Sequence, residues 1–362
     1  MNDSPNNADK LDHAAYRELE IAERRIGGSS PCFLMAEVGQ AHDGSLGIAH
    51  SYVDFVADAG FDAIKFQTHI AAEESTLDEP FRVNFSWEDK TRYDYWKRME
   101  FTPEQWAGLK DHALDKGLVF LSTPFSVAAV DLLEDIGVPG WKIGSGDIGS
   151  TDILERVLAT KKPVICSTGL SWWKEIDELV KRFKQSDSSL ALMQATSQYP
   201  TSLDQIAIPQ MTKMSERYQV PTGLSDHSGR IWPSLYALTM GAHVIEVHVT
   251  VDREMFGPDS LCSLTPDELK LIREGRDAFL LLAADQRDKD EMLPGLSETK
   301  NMFGRSAATR KPMKSGELFT SDDAVFKKPG GGITPKEIDQ FFGKKLSRDV
   351  YPDRILKPDD FS

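Results

Sequence analysis

Short apolar runs recur along most of the chain, and longer segments with helical periodicity separate many of them. Runs of this kind, rich in Val, Ile, Leu and Phe, are typical of strands that are buried on both faces of a parallel sheet. Eight such runs in succession predict a closed (β/α)₈ barrel rather than an open doubly wound sheet. The predicted strands are Phe33–Glu37, Ala63–Gln67, Val119–Thr123, Trp141–Gly144, Val164–Ser167, Leu190–Thr196, Thr222–Asp226 and Val244–His248.

Several of the intervening helices have N-terminal signals. Thr102 and Thr265 each precede a proline and have Gln or Glu three positions later, which is the spacing of a capping box. Serines precede three further apolar segments and favour the same assignment. The predicted helices cover residues 46–59, 106–116, 127–136, 151–159 and 266–283.

The sequence outside the barrel predicts three further regions. Residues 1–15 are polar and are expected to form a disordered tail, and the alternating segment 19–26 is expected to pair with 33–38 as a hairpin. The C-terminal residues contain short strand-like runs with Gly and Pro turns and one helical stretch, 335–342. The predicted regions are residues 1–30 (tail and hairpin strand), 31–284 (catalytic barrel), 285–300 (charged linker) and 301–362 (small β-rich domain).

One connecting segment, residues 71–100, is unusually long for a compact barrel. A loop of that length is more often a lid or an interface than a passive connector. Its aromatic content supports that interpretation, because it carries Phe81, Phe85, Trp87, Tyr93, Tyr95 and Trp96.

Composition narrows the classes of function. A net charge of −15 argues against a binder of nucleic acid or of anionic membranes. The cysteines Cys32, Cys166 and Cys262 are scattered in apolar runs, which indicates reduced packing residues. Because residues 1–12 are polar and no apolar run approaches membrane-spanning length, we expect a soluble cytoplasmic protein. The absence of a GxxxxGK[ST] loop disfavours a nucleotide enzyme.

Two histidines lie at the ends of the last two predicted strands. The carboxyl ends of barrel strands form the active face, so His227 and His248 are expected to lie close together there. Imidazole with nearby carboxylate and hydroxyl oxygen suits a divalent metal such as Mn, Zn or Fe. No cysteine lies nearby to favour thiolate-bound zinc.

Two lysines, Lys65 and Lys142, lie inside predicted buried strands. An unpaired buried ammonium group is costly, so an anion should lie between them. Seryl hydroxyls and the backbone amides of residues 144–146 would complete a cradle for phosphate or carboxylate. In the alternative, both lysines pair with strand carboxylates, and Glu37 forms a structural ion pair with one of them.

A series of motifs resembles, in order, the sialic acid synthase (N-acetylneuraminate synthase) family. The small C-terminal domain is similar to the antifreeze-like (SAF) domain of that family, so the resemblance covers about residues 30 to 362. The matching motifs are residues 36–39, 65–68, 122–125, 142–147, 167–169, 196–200, 225–227, 246–248 and 257–259.

The resemblance implies a condensation of phosphoenolpyruvate with an N-acylated hexose such as N-acetylmannosamine, giving a nine-carbon 2-keto acid and phosphate. It implies that His227 and His248 bind a divalent metal, usually Mn²⁺ with Mg²⁺ or Co²⁺ as alternatives, and that Glu37 orients the aldehyde and the attacking water. The implied phosphoenolpyruvate ligands are Lys65, Lys142, Ser145, Ser167 and Ser225. The implied contacts to substrate or to the metal shell are Gln67, Asp147, Ser197, Tyr199, Glu246 and Asp259.

The chain departs from the family pattern at two places. Residues 41–44 read Ala-His-Asp-Gly, without the usual first Asn, and residues 328–330 read Lys-Pro-Gly instead of Arg-Pro-Gly. Lys328 cannot make the bidentate contact of a guanidinium group. Both changes affect residues that the resemblance places near the sugar and not near phosphoenolpyruvate. The sequence therefore does not distinguish among neuraminate-, legionaminate- and pseudaminate-type products.

Two other classes of function were weighed. A metal-dependent barrel aldolase or hydrolase would also use histidine and glutamate at strand ends, but it would not need two buried lysines around a phosphate. An inactive carbohydrate-binding or scaffold protein would be expected to lack a metal ligand or a lysine. The resemblance further implies a domain-swapped homodimer, in which each SAF domain brings Lys328 to the sugar of the partner's barrel.

Overall fold

The computed structural model describes residues 18–83 and 85–362, so the tail expected over residues 1–15 lies outside the described residues. The chain divides between Ala283 and Ala284 into two compact units. In the described residues, no helix combines the length and the apolar character needed to cross a bilayer.

The first unit is built on a parallel sheet of eight strands, in the order β5-β4-β3-β10-β9-β8-β7-β6. Strand β6 also lies beside β5, which brings the two edges of the sheet together. The predicted (β/α)₈ barrel is therefore confirmed, and seven strands begin and end within one residue of the predicted positions. The strands are β3 (Phe33–Gly39), β4 (Ala63–Thr68), β5 (Val119–Pro124), β6 (Trp141–Ile143), β7 (Val164–Ser167), β8 (Leu190–Ala195), β9 (Thr222–Asp226) and β10 (Val244–His248).

Helices surround the sheet, and the five predicted from sequence are all present. Thr102 accepts a hydrogen bond from the backbone of Gln105, whose side chain accepts one in return, so this predicted capping box is confirmed. The main barrel helices are α1 (Leu46–Asp58), α4 (Pro103–Asp115), α5 (Val127–Asp135), α6 (Thr151–Ala159), α7 (Trp173–Lys184), α8 (Pro209–Tyr218), α9 (Trp232–Thr239) and α10 (Pro266–Ala284).

The prediction of a hairpin between residues 19–26 and 33–38 is wrong. The chain instead reverses inside the first segment, where β1 (Leu19–Ile21) and β2 (Arg24–Ile26) pair antiparallel. Ala22 and Glu23 form the two-residue turn with φ of 48° and 63°, a conformation that neither residue type signals in sequence. The apolar side chains of this ribbon pack among the first residues of the barrel strands and close the amino-terminal end of the barrel.

The long segment between β4 and α4 folds into two short helices, α2 (Ala71–Glu74) and α3 (Arg92–Met99). We call residues 71–100 the lid segment. Tyr95, Trp96 and Met99 form a small buried cluster of their own. Arg98 joins the lid to the turn after β3, because Nη1 lies 2.6 Å from Asp43 Oδ1 and Nη2 lies 2.8 Å from Asp89 Oδ2.

The second unit has its own core, centred on the fully buried Phe319. It contains α11 (Ser297–Phe303), β11 (Ser306–Thr309) and β12 (Ala324–Lys327), the two strands being antiparallel. The expected linker is therefore helical from Ser297 onward. The helix predicted over 335–342 is wrong, since only a 3₁₀ turn occurs there, Ile338–Gln340.

Candidate active site

The register of the barrel strands brings polar side chains side by side at one end. Glu37 is opposite Lys65 on the neighbouring strand and opposite His248 on the other side, and Glu246 is opposite Ser225. Side chains at paired positions of neighbouring strands share a face of the sheet. Residues that are far apart in sequence thus form one buried site at the carboxyl ends of the strands.

The two buried lysines share one carboxylate, Glu246. Lys142 Nζ lies 3.4 Å from Glu246 Oε2 and donates to Ser167 Oγ at 2.7 Å. Lys65 Nζ lies 3.8 Å from Glu246 Oε1 and forms a close ion pair with Glu37. The sequence predicted an anion between the lysines, and in this structure it is Glu246, as the alternative with strand carboxylates proposed.

The charged forms of Glu246, Lys65 and Lys142 are not equally stabilised. Burial opposes ionisation of Glu246, but Lys142 and Lys65 outweigh it and hold the pKa of that carboxyl below its usual value. Burial lowers the pKa of Lys142, whereas Glu246 and Glu37 outweigh burial at Lys65 and raise its pKa. Lys65 is therefore a permanent cation, and Lys142 holds its proton less firmly.

The two histidines face one another with ring centroids 5.3 Å apart. His227 Nδ1 lies 3.0 Å from the carbonyl oxygen of Thr196. Because a carbonyl oxygen only accepts, Nδ1 must carry the proton, which leaves Nε2 with a free lone pair. Burial and the neighbouring His248 lower the pKa of His227 to about 3, so the ring is neutral.

These features fit a partial set of metal ligands. His248 Nδ1 is buried and accepts or donates no hydrogen bond within the described residues, and the nearest oxygen of Asp259 is 4.0 Å away. Among those same residues, no three His, Cys, Asp or Glu side chains converge on a common point. Two imidazole ligands would leave the remaining coordination positions to water or substrate, and open positions are typical of catalytic sites.

Gly39 leaves space at the centre of the site. A Cβ atom built there would lie 3.5 Å from Glu37 Oε1 and 3.7 Å from both Asp259 Oδ2 and His248 Cε1. Its φ of +53° also disfavours any other residue. A small group can therefore approach the side chains of Glu37, Asp259 and His248 at once.

Loops after β6, β7 and β8 bring three further predicted residues to this end of the barrel. Gly169 N donates to Ser145 Oγ at 3.0 Å, and a Cβ at Gly169 would lie 2.8 Å from Ser197 Oγ. Ser150 Oγ lies 3.4 Å from Asp147 Oδ1. Close contact between the loops thus depends on Gly169 having no side chain.

A cavity of about 380 Å³ opens above these residues, beneath the lid segment. Five residues predicted from sequence line it, namely Gln67, Asp147, Tyr199, His248 and Asp259. Lys328 belongs to the second unit, where it is exposed and its Nζ lies 5.1 Å from the ring centroid of Phe303.

Sequence reasoning missed several side chains that line the cavity, among them Arg82 and His69. Arg82 Nη2 lies 2.8 Å from Asp259 Oδ1, and its guanidinium carbon is 4.4 Å from the centroid of Tyr199. His69 stacks between Trp96 and Phe125, at centroid distances of 3.9 and 4.6 Å. Both lie beyond the end of β4, where the sequence no longer shows the periodicity of a strand or helix. The signal that could have pointed to His69 is its position directly after the motif of residues 65–68.

Comparisons with known proteins find similar sequences and structures. Residues 52–286 match the NeuB family, and residues 304–362 match the SAF domain. The N,N'-diacetyllegionaminic acid synthase of Legionella pneumophila is 33% identical over 90% of this chain and 93% of its own length. The human N-acetylneuraminate-9-phosphate synthase is 28% identical over 94% of this chain and 95% of its own. The crystal structure of the N-acetylneuraminic acid synthetase of Leptospira borgpetersenii serovar Hardjo-bovis, in complex with citrate, is 30% identical with a TM-score of 0.69, covering 80% of this chain and 98% of that one.

Proposed function

Because this chain belongs to the NeuB family and ends in a SAF domain, we propose that it is a nonulosonic acid synthase. In the proposed reaction, C3 of phosphoenolpyruvate forms a bond to the aldehyde carbon of an N-acyl hexose. Water adds to C2, and the bond between C2 and the phosphate oxygen then breaks. The products are a nine-carbon 2-keto acid and inorganic phosphate. The relatives are synthases of different nonulosonic acids, so membership of the family does not identify the hexose.

Lys65 and Lys142 would hold phosphoenolpyruvate. Their distances to Glu246, 3.8 and 3.4 Å, are longer than charge-assisted hydrogen bonds, so both ammonium groups retain protons for a stronger acceptor. Ser167 and Ser225 hydroxyls lie in the same network, and Ser145 is on the adjoining loop. Fixed cations at these positions would stabilise the charge of the phosphate and carboxylate groups during the reaction.

Glu37 would orient the sugar aldehyde and the attacking water. Its Oε1 is buried without a hydrogen-bond partner among the described residues, and it faces the space that Gly39 leaves open. Gln67, Asp147, Ser197, Tyr199 and Asp259 would surround the sugar, with Glu246 fixing both lysines.

His227 and His248 would hold the divalent metal, with Mn²⁺ the first candidate and Mg²⁺ or Co²⁺ as alternatives. When bound, the metal would act as a Lewis acid towards the aldehyde. The protein's part is to keep His227 neutral and in one tautomer through Thr196. The buried lysine pair beside this histidine pair is the observation that carries the proposal.

The active assembly that we propose is a homodimer with exchanged SAF domains. Each SAF domain would bring the exposed Lys328 to the sugar bound in the partner's barrel. Support comes from the family resemblance and from the second unit's separate core.

The test is to incubate the purified chain with phosphoenolpyruvate, Mn²⁺ and a panel of N-acyl hexoses, and to follow phosphate release. We expect release that depends on both the sugar and the metal. Release without any sugar, or none with any hexose of the panel, would contradict the proposal.

A further inference from the structure

The cavity beneath the lid segment carries an excess of negative charge. Among the residues that the structure describes, its lining contains four carboxylates against two guanidinium groups. One negative group would remain in excess even if His69, which bonds to Glu74 at 2.6 Å, were protonated. The carboxylates are Glu74, Glu79, Asp147 and Asp259, and the guanidinium groups are Arg82 and Arg92.

Both guanidinium groups already have carboxylate and aromatic partners. Arg82 bonds to Asp259 and lies over Tyr199. Arg92 Nε lies 3.3 Å from Glu79 Oε1, and its guanidinium carbon is 5.0 Å from the centroid of Trp96. An incoming anion would have to share either arginine with a carboxylate that already offsets its charge.

Neighbouring groups respond to the same negative charge. Burial raises the pKa of Tyr95, and Asp259 raises it further. Burial also raises the pKa of Asp147, with Glu74 adding to the effect. The walls of the cavity therefore disfavour additional negative charge.

Much of the remaining cavity wall is aromatic. Phe81, Phe85, Tyr95 and Trp96 of the lid segment line it, together with Phe125 after β5. Such a surface suits the apolar face of a sugar ring and the methyl groups of acyl or deoxy substituents. These five side chains bring no positive charge to a phosphate group.

We propose that the hexose taken by this chain is uncharged, and that a hexose phosphorylated on its sixth carbon is rejected. The inference rests on the proposed function, in which the aldehyde end of the sugar lies at His227 and His248. The remote end then lies among the lid aromatics and the carboxylates Glu74 and Glu79. A phosphate dianion there would face negative charge, and no described residue of the cavity lining offers a cation that lacks a carboxylate partner.

The full-length protein with Mn²⁺ and saturating phosphoenolpyruvate tests this proposal. The sugars are N-acetylmannosamine, its 6-phosphate, and 2,4-diacetamido-2,4,6-trideoxymannose, with the nine-carbon product measured by mass spectrometry. We expect kcat/KM for at least one uncharged sugar to exceed that for the 6-phosphate by tenfold or more. A 6-phosphate that is used as well or better would overturn the inference and leave the proposed function standing. If no sugar reacts, the proposed function itself fails, and this inference fails with it.

A charge variant tests whether the carboxylates cause the discrimination. Trp96 Nε1 donates a hydrogen bond to Glu79 Oε2 at 3.0 Å. Glu79→Gln keeps an oxygen acceptor for this bond but removes the charge that pairs with Arg92. The preference for the uncharged sugar should fall several-fold. Glu88→Gln is the control, because Glu88 is a lid carboxylate that is 75% exposed and absent from the cavity lining. An equal preference in Glu79→Gln and the parent protein would overturn the charge argument.

Discussion

At the scale of single residues, Glu246 determines how the two lysines can work. Its negative charge lies between the two cations and helps both to be buried. Its oxygens are 3.8 Å from Lys65 Nζ and 3.4 Å from Lys142 Nζ, which is longer than a strong hydrogen bond. Substrate anions can therefore compete for both ammonium groups. Removing one lysine should weaken the binding of phosphoenolpyruvate rather than that of the sugar.

For Lys142→Ala we expect the KM for phosphoenolpyruvate to rise roughly ten- to a hundredfold, which corresponds to one charge-assisted hydrogen bond of about 1.5–3 kcal/mol. The KM for the sugar should change little. Lys161→Ala is the matched control, since Lys161 is exposed and pairs only with Asp187 on the surface. Steady-state kinetics with each substrate varied in turn make the comparison. An effect confined to the sugar would place the lysine elsewhere in the reaction.

For His227→Ala we expect loss of product formation with a nearly unchanged melting temperature, because the ring lies at the active end of the barrel and not in its apolar core. Excess chelator should abolish activity in the parent protein, and Mn²⁺ should restore it. His50→Ala serves as the control, since His50 pairs with His112 between two outer helices. Full turnover in excess chelator would mean that the reaction needs no divalent metal.

The sequence was sufficient to predict which strand-end residues gather, because parallel strands in a barrel end at one face. It could not assign the counter-ion of the lysines, since that depends on how side chains meet across the barrel interior. Arg82 was missed for a different reason. It lies in an irregular segment whose conformation is set by tertiary contacts and not by a repeating pattern.

At the scale of elements, N-terminal capping explains which helices could be predicted. The five predicted helices follow Ser or Thr, whereas α7, α8 and α9 have Trp172, Ile208 and Ile231 at their N-caps. The ribbon β1–β2 was misjudged because its turn, Ala22-Glu23, contains none of the usual turn residues. Side chains of the lid segment line the cavity, and Arg98 ties this segment to Asp43 in the turn after β3.

We expect Arg98→Ala to loosen the lid segment, because it removes the contacts to Asp43 and Asp89. The KM for the sugar should rise several-fold while that for phosphoenolpyruvate stays close to the parent value. Hydrogen exchange over residues 71–100 should accelerate. Arg156→Ala, which removes a surface pair with Asp131, provides the control. Unchanged exchange together with a changed KM would argue against a lid role.

At the scale of the whole molecule, two units with separate cores share one chain. The barrel supplies every residue proposed to hold phosphoenolpyruvate and metal, whereas Lys328 is on the second unit. The sequence predicted the barrel well because its eight repeated units reinforce one another. The second unit was less predictable, since its strands are short and much of it consists of turns.

Subunit mixing tests the proposed exchange of SAF domains. A His227→Ala chain is mixed with a chain that lacks residues 297–362, neither of which should form product alone. We expect partial recovery, because the first chain can donate its SAF domain to the intact barrel of the second. No recovery in heterodimers that have been shown to form would mean that each SAF domain serves its own barrel.

In the proposed condensation, water attacks C2 of phosphoenolpyruvate, and the phosphate leaves with the oxygen that had joined it to C2. Phosphoenolpyruvate labelled with ¹⁸O at that oxygen tests it directly, using the hexose that gives the fastest phosphate release. We predict equal amounts of nine-carbon 2-keto acid and phosphate, with the label entirely in the phosphate. Label retained in the keto acid, or phosphate formed without keto acid, would contradict the account.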